Sequence, residues 1–296
     1  MTEINGLVAA LVTPFTAGGV SVDKTMLRKL VEHTVTSGVH GLVPCGSTGE
    51  FASLTSAERR QVVETVIGQV AGRVPVLAHT AAMTTAEAIS LSRHAEQTGA
   101  AGLMVVAPYY EPLTVEEVKT YYRQIADSVS IDIMIYNLPV ATGVNLRPED
   151  IAELAASHPS IRYVKDTSGD FSQAARLIHE YRDLVSTFVG WDTLYFASLV
   201  EGASGSVNGA ANLLPAELAS IYNLVQADDV AAARRAWSRV YPVMRFLVSG
   251  GYVAGVKAAL DLLGLPVGPP RGPVEELAGA RAAELKELLQ DLSPHT

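Results

Sequence analysis

Short apolar runs alternate with longer amphipathic segments along the whole chain. The runs at 7–12, 41–45, 75–78, 102–107, 131–136, 161–165, 187–190 and 205–207 are rich in Val, Ile and Leu, as strands covered on both faces are. Helical patterns lie between them. Asp23 opens one that carries Leu27, Leu30, Val31 and Val35 and stops at Gly38. Thr55 with Glu58, and Thr114 with Glu117, have capping-box spacing and predict helix starts there, the first running over 56–70. The pattern at 85–98 ends at Gly99, a helix stop. Pro148 and Pro215 each open a further helix. Eight strand–helix repeats without a long interruption predict an α/β fold, a (β/α)8 TIM barrel. An open doubly wound sheet would want a glycine-rich turn after the first strand, and the turn here is Thr13-Pro14-Phe15. Beyond about 227 the strands stop. Segments 231–248, 252–263 and 274–292 read as helices, broken by Gly250-Gly251 and by a Pro/Gly stretch at 266–273. The expected organisation is a catalytic barrel over 1–226 and a C-terminal helical domain over 227–296.

Composition narrows the function classes. Of 296 residues, 48% are hydrophobic and 18% charged, enough to bury a large core. Mean hydropathy is +0.22, consistent with many Ala, Val and Leu in buried strands. The net charge of −9 argues against nucleic acid or an anionic membrane as partner, though a locally positive site can still take a small anion. Cys45 is the single cysteine, which excludes an internal disulfide or a Cys-rich zinc site and fits a cytoplasmic protein. Residues 1–13 carry Glu3 and no basic region ahead of an apolar core, so no secretion signal is expected. With no uncharged apolar run of about 18 residues, no membrane span is expected either.

Barrel enzymes work at the C-terminal ends of their strands. Those places hold Gly46-Ser47-Thr48-Gly49-Glu50, His79-Thr80, Pro108-Tyr109-Tyr110, Tyr136-Asn137-Leu138-Pro139, Lys165-Asp166-Thr167-Ser168-Gly169, Gly190-Trp191-Asp192 and Asn208-Gly209. Lys165 carries the most information. It ends an apolar strand and should point into the barrel mouth, where burial disfavours the ammonium and favours a nucleophilic amine. Such an amine attacks a ketone to give a Schiff base. The bland alternative is a lysine that reaches solvent or pairs with Asp166. Tyr136 ends the preceding strand and suits proton shuttling beside Lys165, or simple packing. Ser47 and Thr48 sit in a Gly-flanked turn whose N–H groups and hydroxyls suit a carboxylate, or merely cap the next helix.

In combination these motifs are specific. Their order and spacing resemble those of the dihydrodipicolinate synthase / N-acetylneuraminate lyase family of class I pyruvate aldolases, over nearly the whole chain. The resemblance implies a (β/α)8 barrel with a C-terminal helical domain, as a homotetramer, with no metal or organic cofactor beyond the covalent imine. Lys165 would form a Schiff base with pyruvate or another 2-oxo acid, and Tyr136 would relay protons. Ser47 would link to Tyr110 of a neighbouring subunit, and Ser47 and Thr48 would hold the carboxylate. Gly190 and Val207 would line the site near the lysine, with Thr167 among the substrate contacts. Partners are then a 2-oxo acid and an aldehyde.

Departures from the pattern bear on the aldehyde. Synthases of this family carry an arginine where Ala141 stands. Losing that contact to aspartate semialdehyde should cost on the order of 2–4 kcal/mol, with Arg147 a substitute only if its loop folds back. Met83 and His79 also depart, replacing an asparagine and a glycine; His79 is read as structural or as an acid/base. Asp192 matches an acid with which N-acetylneuraminate lyases grip sugar hydroxyls, while Thr193 replaces the second acid of that pair. A pocket with Asp192, Thr193 and Asn208 but no arginine leads to the expectation of reversible cleavage of a 2-keto-3-deoxy sugar acid to pyruvate and an aldehyde, while Trp191 walls the distal pocket, where it could stack on an apolar or aromatic aldehyde, or caps the barrel. The alternatives are 4-hydroxy-tetrahydrodipicolinate synthase activity, dehydration of such an acid, and a non-catalytic 2-oxo-acid-binding protein.

Overall fold

The computed structural model describes residues 3–292. Met1, Thr2 and 293–296, the outer ends of the two expected domains and the first residues of the stretch judged not to be a signal, lie outside the described residues. Eight parallel strands follow in chain order: β1 Gly6–Ala10, β2 Gly41–Val43, β3 Leu77–His79, β4 Gly102–Val106, β5 Asp132–Asn137, β6 Ile161–Asp166, β7 Ser186–Val189 and β8 Gly205–Asn208. They hydrogen-bond in the order β2-β1-β8-β7-β6-β5-β4-β3. A parallel bridge between Leu42 and Val76 joins the two ends, so the sheet closes and the predicted barrel is the observed one. Nearly every strand residue is buried, because lumen and helices cover opposite faces.

Around the barrel run α1 Lys24–Thr36, α2 Ser56–Val70, α3 Thr85–Thr98, α4 Val115–Ala126, α5 Pro139–Thr142, α6 Pro148–Ser157, α7 Phe171–Glu180, α8 Tyr195–Glu201 and α9 Pro215–Gln226. Both predicted capping boxes form, at Thr55/Glu58 and Thr114/Glu117. The short α5 was not foreseen, and α7 and α8 were implied by the eightfold repeat without being placed individually. The first strand stops at Ala10 although Leu11 and Val12 are buried. Its ladder is replaced there by a side chain: Val12 N–H donates to Asn212 Oδ1 at 3.1 Å and Asn212 Nδ2 donates to Ala10 O at 2.7 Å.

Three helices follow, α10 Val230–Val248, α11 Tyr252–Leu262 and α12 Gly279–Leu292. α10 packs on α9 and on the turn after β7, and α11 on the turn after β8. The last helix starts at Gly279, not at 274 as the apolar pattern suggested. The chain ahead of it is committed to the barrel. Phe15 N–H donates to Val267 O at 2.9 Å, and Arg271 donates to Gly19 O at 3.0 Å and Ser53 O at 2.9 Å. It therefore approaches α12 without helical structure. No described helix is long and apolar enough to cross a membrane.

Candidate active site

β5 and β6 run in register, with Tyr136 opposite Lys165 and Asn137 opposite Asp166. Strand alternation then sends the first pair one way and the second the other. Asp166 is satisfied on its own face. Its Oδ1 accepts from Asn137 Nδ2 and Gln173 Nε2 at 3.0 Å each, and its Oδ2 from Ser168 Oγ at 2.8 Å. Lys165 is neither its partner nor solvated. It is 5% exposed, and its Nζ lies 3.9 Å from the Tyr136 ring centroid. β7 passes so close that a Cβ on Gly190 would sit 2.4 Å from Lys165 Cε and 2.2 Å from Thr167 Oγ1; only glycine fits. The Thr167 hydroxyl is buried with no partner among the described residues, so it is open to a ligand atom.

The turn after β2 brings Ser47 Oγ to 3.4 Å from the Tyr136 hydroxyl. It is bracketed by Cys45 and Glu50, non-glycine residues with φ of 57° and 56°, a conformation costing about 1–3 kcal/mol each. Anchors hold it. Thr13 Oγ1 donates to Gly49 O at 2.7 Å. The buried Glu50 carboxylate meets Lys257 Nζ at 2.6 Å and accepts the Arg271 backbone N–H at 2.7 Å. Sequence reasoning gave Lys257 and Arg271 no role. Tyr110 is 82% exposed, and the phenol that Ser47 meets within the chain is that of Tyr136; the expected Ser47–Tyr110 link is not made inside one subunit.

The site residues put forward from the sequence line one cavity of about 310 Å³, except Tyr110 and Asn208. Asn208 is fully buried, with neither amide atom partnered among the described residues, while Val207 and Gly209 on either side face the cavity. The polar contact expected from it is therefore not supplied. Asp192 is buried, and the Tyr252 hydroxyl donates to its Oδ2, so part of the acceptor capacity meant for a sugar hydroxyl is already taken. Burial pushes the Asp192 carboxyl up to about 6, against the Tyr252 hydrogen bond, the Lys165 charge and the backbone N–H groups of Ala210 and Gly209. Tyr252, Leu247, Val248 and Val253 give the cavity a wall from the C-terminal helices, which the sequence reading missed; the Gly250-Gly251 break beside Tyr252 was the available signal.

The His79 ring is not in this wall. It is buried beneath the site, 4.5 Å from the Phe51 ring and 6.4 Å from that of Tyr136. Burial, then the charges of Arg59 and Lys165, hold it well below the usual histidine range, so the imidazole is neutral. Arg147 does not fold back: its side chain is 76% exposed and lies 3.8 Å from Asp150. Ala141 lines an apolar recess of about 220 Å³ with Phe51, Tyr109 and Leu138. No group of three or more His, Cys, Asp or Glu among the described residues is placed to hold a metal ion.

The model of the Dihydrodipicolinate synthetase family matches residues 3–292. A 4-hydroxy-tetrahydrodipicolinate synthase from Methanoculleus marisnigri is 38% identical over 96% of this chain and 98% of its own length. A protein of the same name from Methanospirillum hungatei is 39% identical over the same shares. Among solved structures, YagE, a prophage protein of the dihydrodipicolinic acid synthase family from E. coli K12 in complex with pyruvate, superposes with a TM-score of 0.94. It is 32% identical and covers 98% of this chain and 99% of its own.

Proposed function

The chain belongs to the dihydrodipicolinate synthetase family, pyruvate-dependent lyases that act through a lysine Schiff base, and on that premise we propose that Lys165 is its imine-forming residue and that its reaction condenses pyruvate with aspartate semialdehyde. The observation that carries the reading is Lys165 buried in the lumen with its amine on the Tyr136 ring and the Tyr136 hydroxyl beside Ser47. The amine adds to the keto carbon of pyruvate, and loss of water gives the imine. The imine draws electrons from C3, which gives up a proton to become an enamine carbon, and this adds to the aldehyde. Tyr136 moves the protons between carbinolamine, substrate and Ser47, a role worth about 10²–10⁴ in rate. Ser47 and Thr48 fix the pyruvyl carboxylate so that C3 meets the phenol in geometry.

The synthase names of the relatives support aspartate semialdehyde as the aldehyde. A second reading, cleavage of a 2-keto-3-deoxy acid, is favoured by one observation: among the described residues the cavity is lined by no cation other than Lys165, and Ala141 stands where the family's synthases carry an arginine. Borohydride reduction with pyruvate should leave a pyruvyl adduct on Lys165, absent in Lys165→Ala; unmodified wild-type protein would overturn the imine reading. Turnover of pyruvate with aspartate semialdehyde, set against pyruvate release from a panel of 2-keto-3-deoxy acids coupled to lactate dehydrogenase, decides between the two substrates.

A further inference from the structure

We propose that Tyr252 is a specificity-determining residue for the second substrate: its hydroxyl occupies the Asp192 carboxylate and its ring closes the cavity beside it, so the site admits short aldehydes and turns away polyhydroxylated ones. The inference rests on the pyruvate reading above and goes beyond it by naming what limits the aldehyde.

Three features place the residue there. Gly250 and Gly251, with φ of 135° and 63°, turn the chain sharply after α10, and Tyr252 is the first residue of α11. At the end of β8, a Cβ on Gly209 would lie 2.4 Å from the Tyr252 hydroxyl, 2.7 Å from its ring and 2.9 Å from Thr48 Oγ1. The phenol is thus seated in a notch that only glycine leaves open, next to the turn assigned to the carboxylate. Finally, its hydroxyl donates to Asp192, whose carboxyl is buried among cavity residues that include Trp191 and Leu247.

The discrimination follows from hydrogen-bond exchange. The phenol on Oδ2 and the backbone N–H groups of Gly209 and Ala210 already draw on the buried carboxylate, so a substrate hydroxyl that reached Asp192 would compete with the phenol. Where it took the phenol's place, one hydrogen bond would replace another and leave the Tyr252 hydroxyl without its partner, which is unfavourable. An aldehyde without hydroxyls makes no such demand.

The test compares wild type, Tyr252→Phe and Tyr252→Ala. Propanal and aspartate semialdehyde are set against D-glyceraldehyde and D-erythrose as acceptors for pyruvate. Tyr252→Phe removes the donor and keeps the ring; Tyr252→Ala also removes the wall. Both should shift the kcat/KM ratio toward the hydroxylated aldehydes, by about tenfold or more in Tyr252→Phe. A ratio that moves less than about twofold in Tyr252→Phe overturns the inference. Borohydride trapping is read in parallel. No adduct in wild type would bring down the imine reading and this one with it. An adduct in wild type but none in Tyr252→Phe would also overturn it, because Tyr252 would then serve the pyruvate step.

Discussion

Burial lifts the Asp192 carboxyl from an ordinary 3.8 to about 6 in the folded chain, although Tyr252, Lys165 and two backbone N–H groups pull the other way. Between those values the native state holds a proton that the unfolded chain has released. Stability from this group is therefore present at low pH and is lost as pH rises from about 4 to about 6, a total of about 3 kcal/mol. The sign is opposite to that of an ion-paired carboxylate. Asp192→Asn cannot titrate, so its stability relative to wild type should improve from pH 4.5 to pH 7.5 in chemical denaturation. Equal pH dependence in the two proteins would count against a buried, proton-hungry Asp192. His79, neutral when folded but able to take a proton when unfolded, works the other way and weakens the fold as pH falls below about 6.5; it does so equally in both proteins, so it drops out of the comparison.

At the level of elements, the turn that carries Ser47 and Thr48 is held from outside the barrel. Glu50 and Lys257 are both almost fully buried and meet at 2.6 Å, and Lys257 also donates to Pro269 O at 3.0 Å. Removing one member of a buried pair leaves an uncompensated charge, at a cost of about 3–5 kcal/mol. Lys257→Met should lower stability by that order and raise the KM for pyruvate, since the strained turn loses its clamp. The double variant Lys257→Met, Glu50→Gln should regain much of the stability without restoring KM. Denaturation midpoints together with pyruvate saturation curves check both halves. The strands, the capping boxes at Thr55 and Thr114, and the lysine at the end of β6 were legible because each signal spans a few residues. Tyr252 on Asp192 and Arg271 on Glu50 were not, since they join positions 60 and 221 residues apart, and nothing local at either end announces the other. For the same reason Asp192 read as a free acceptor: its type and place were visible, its partner was not.

For the molecule as a whole, the open question is the second hydroxyl partner of Ser47. Within the chain Ser47 meets Tyr136 at 3.4 Å, whereas Tyr110 projects from the loop after β4 with 82% of its surface exposed. Tyr109, its neighbour, is 39% exposed yet still packs edge-on against Phe51 at 5.9 Å. The loop is thus anchored on its own barrel by one tyrosine while the next points away. A large aromatic side chain held in water gains nothing from burial, which is the arrangement a phenol acting in another subunit would show in a single copy. The prediction is that the protein sediments as a dimer or larger and that Tyr110 acts in trans. Lys165→Ala and Tyr110→Phe, each impaired alone, should then complement when mixed under conditions of subunit exchange. In a mixed dimer one site pairs an intact Lys165 with an intact Tyr110. Random pairing makes half the dimers mixed, so about a quarter of wild-type activity should return. If Tyr110 served its own chain, the only intact lysines would remain in chains with the damaged tyrosine, and mixing would restore nothing.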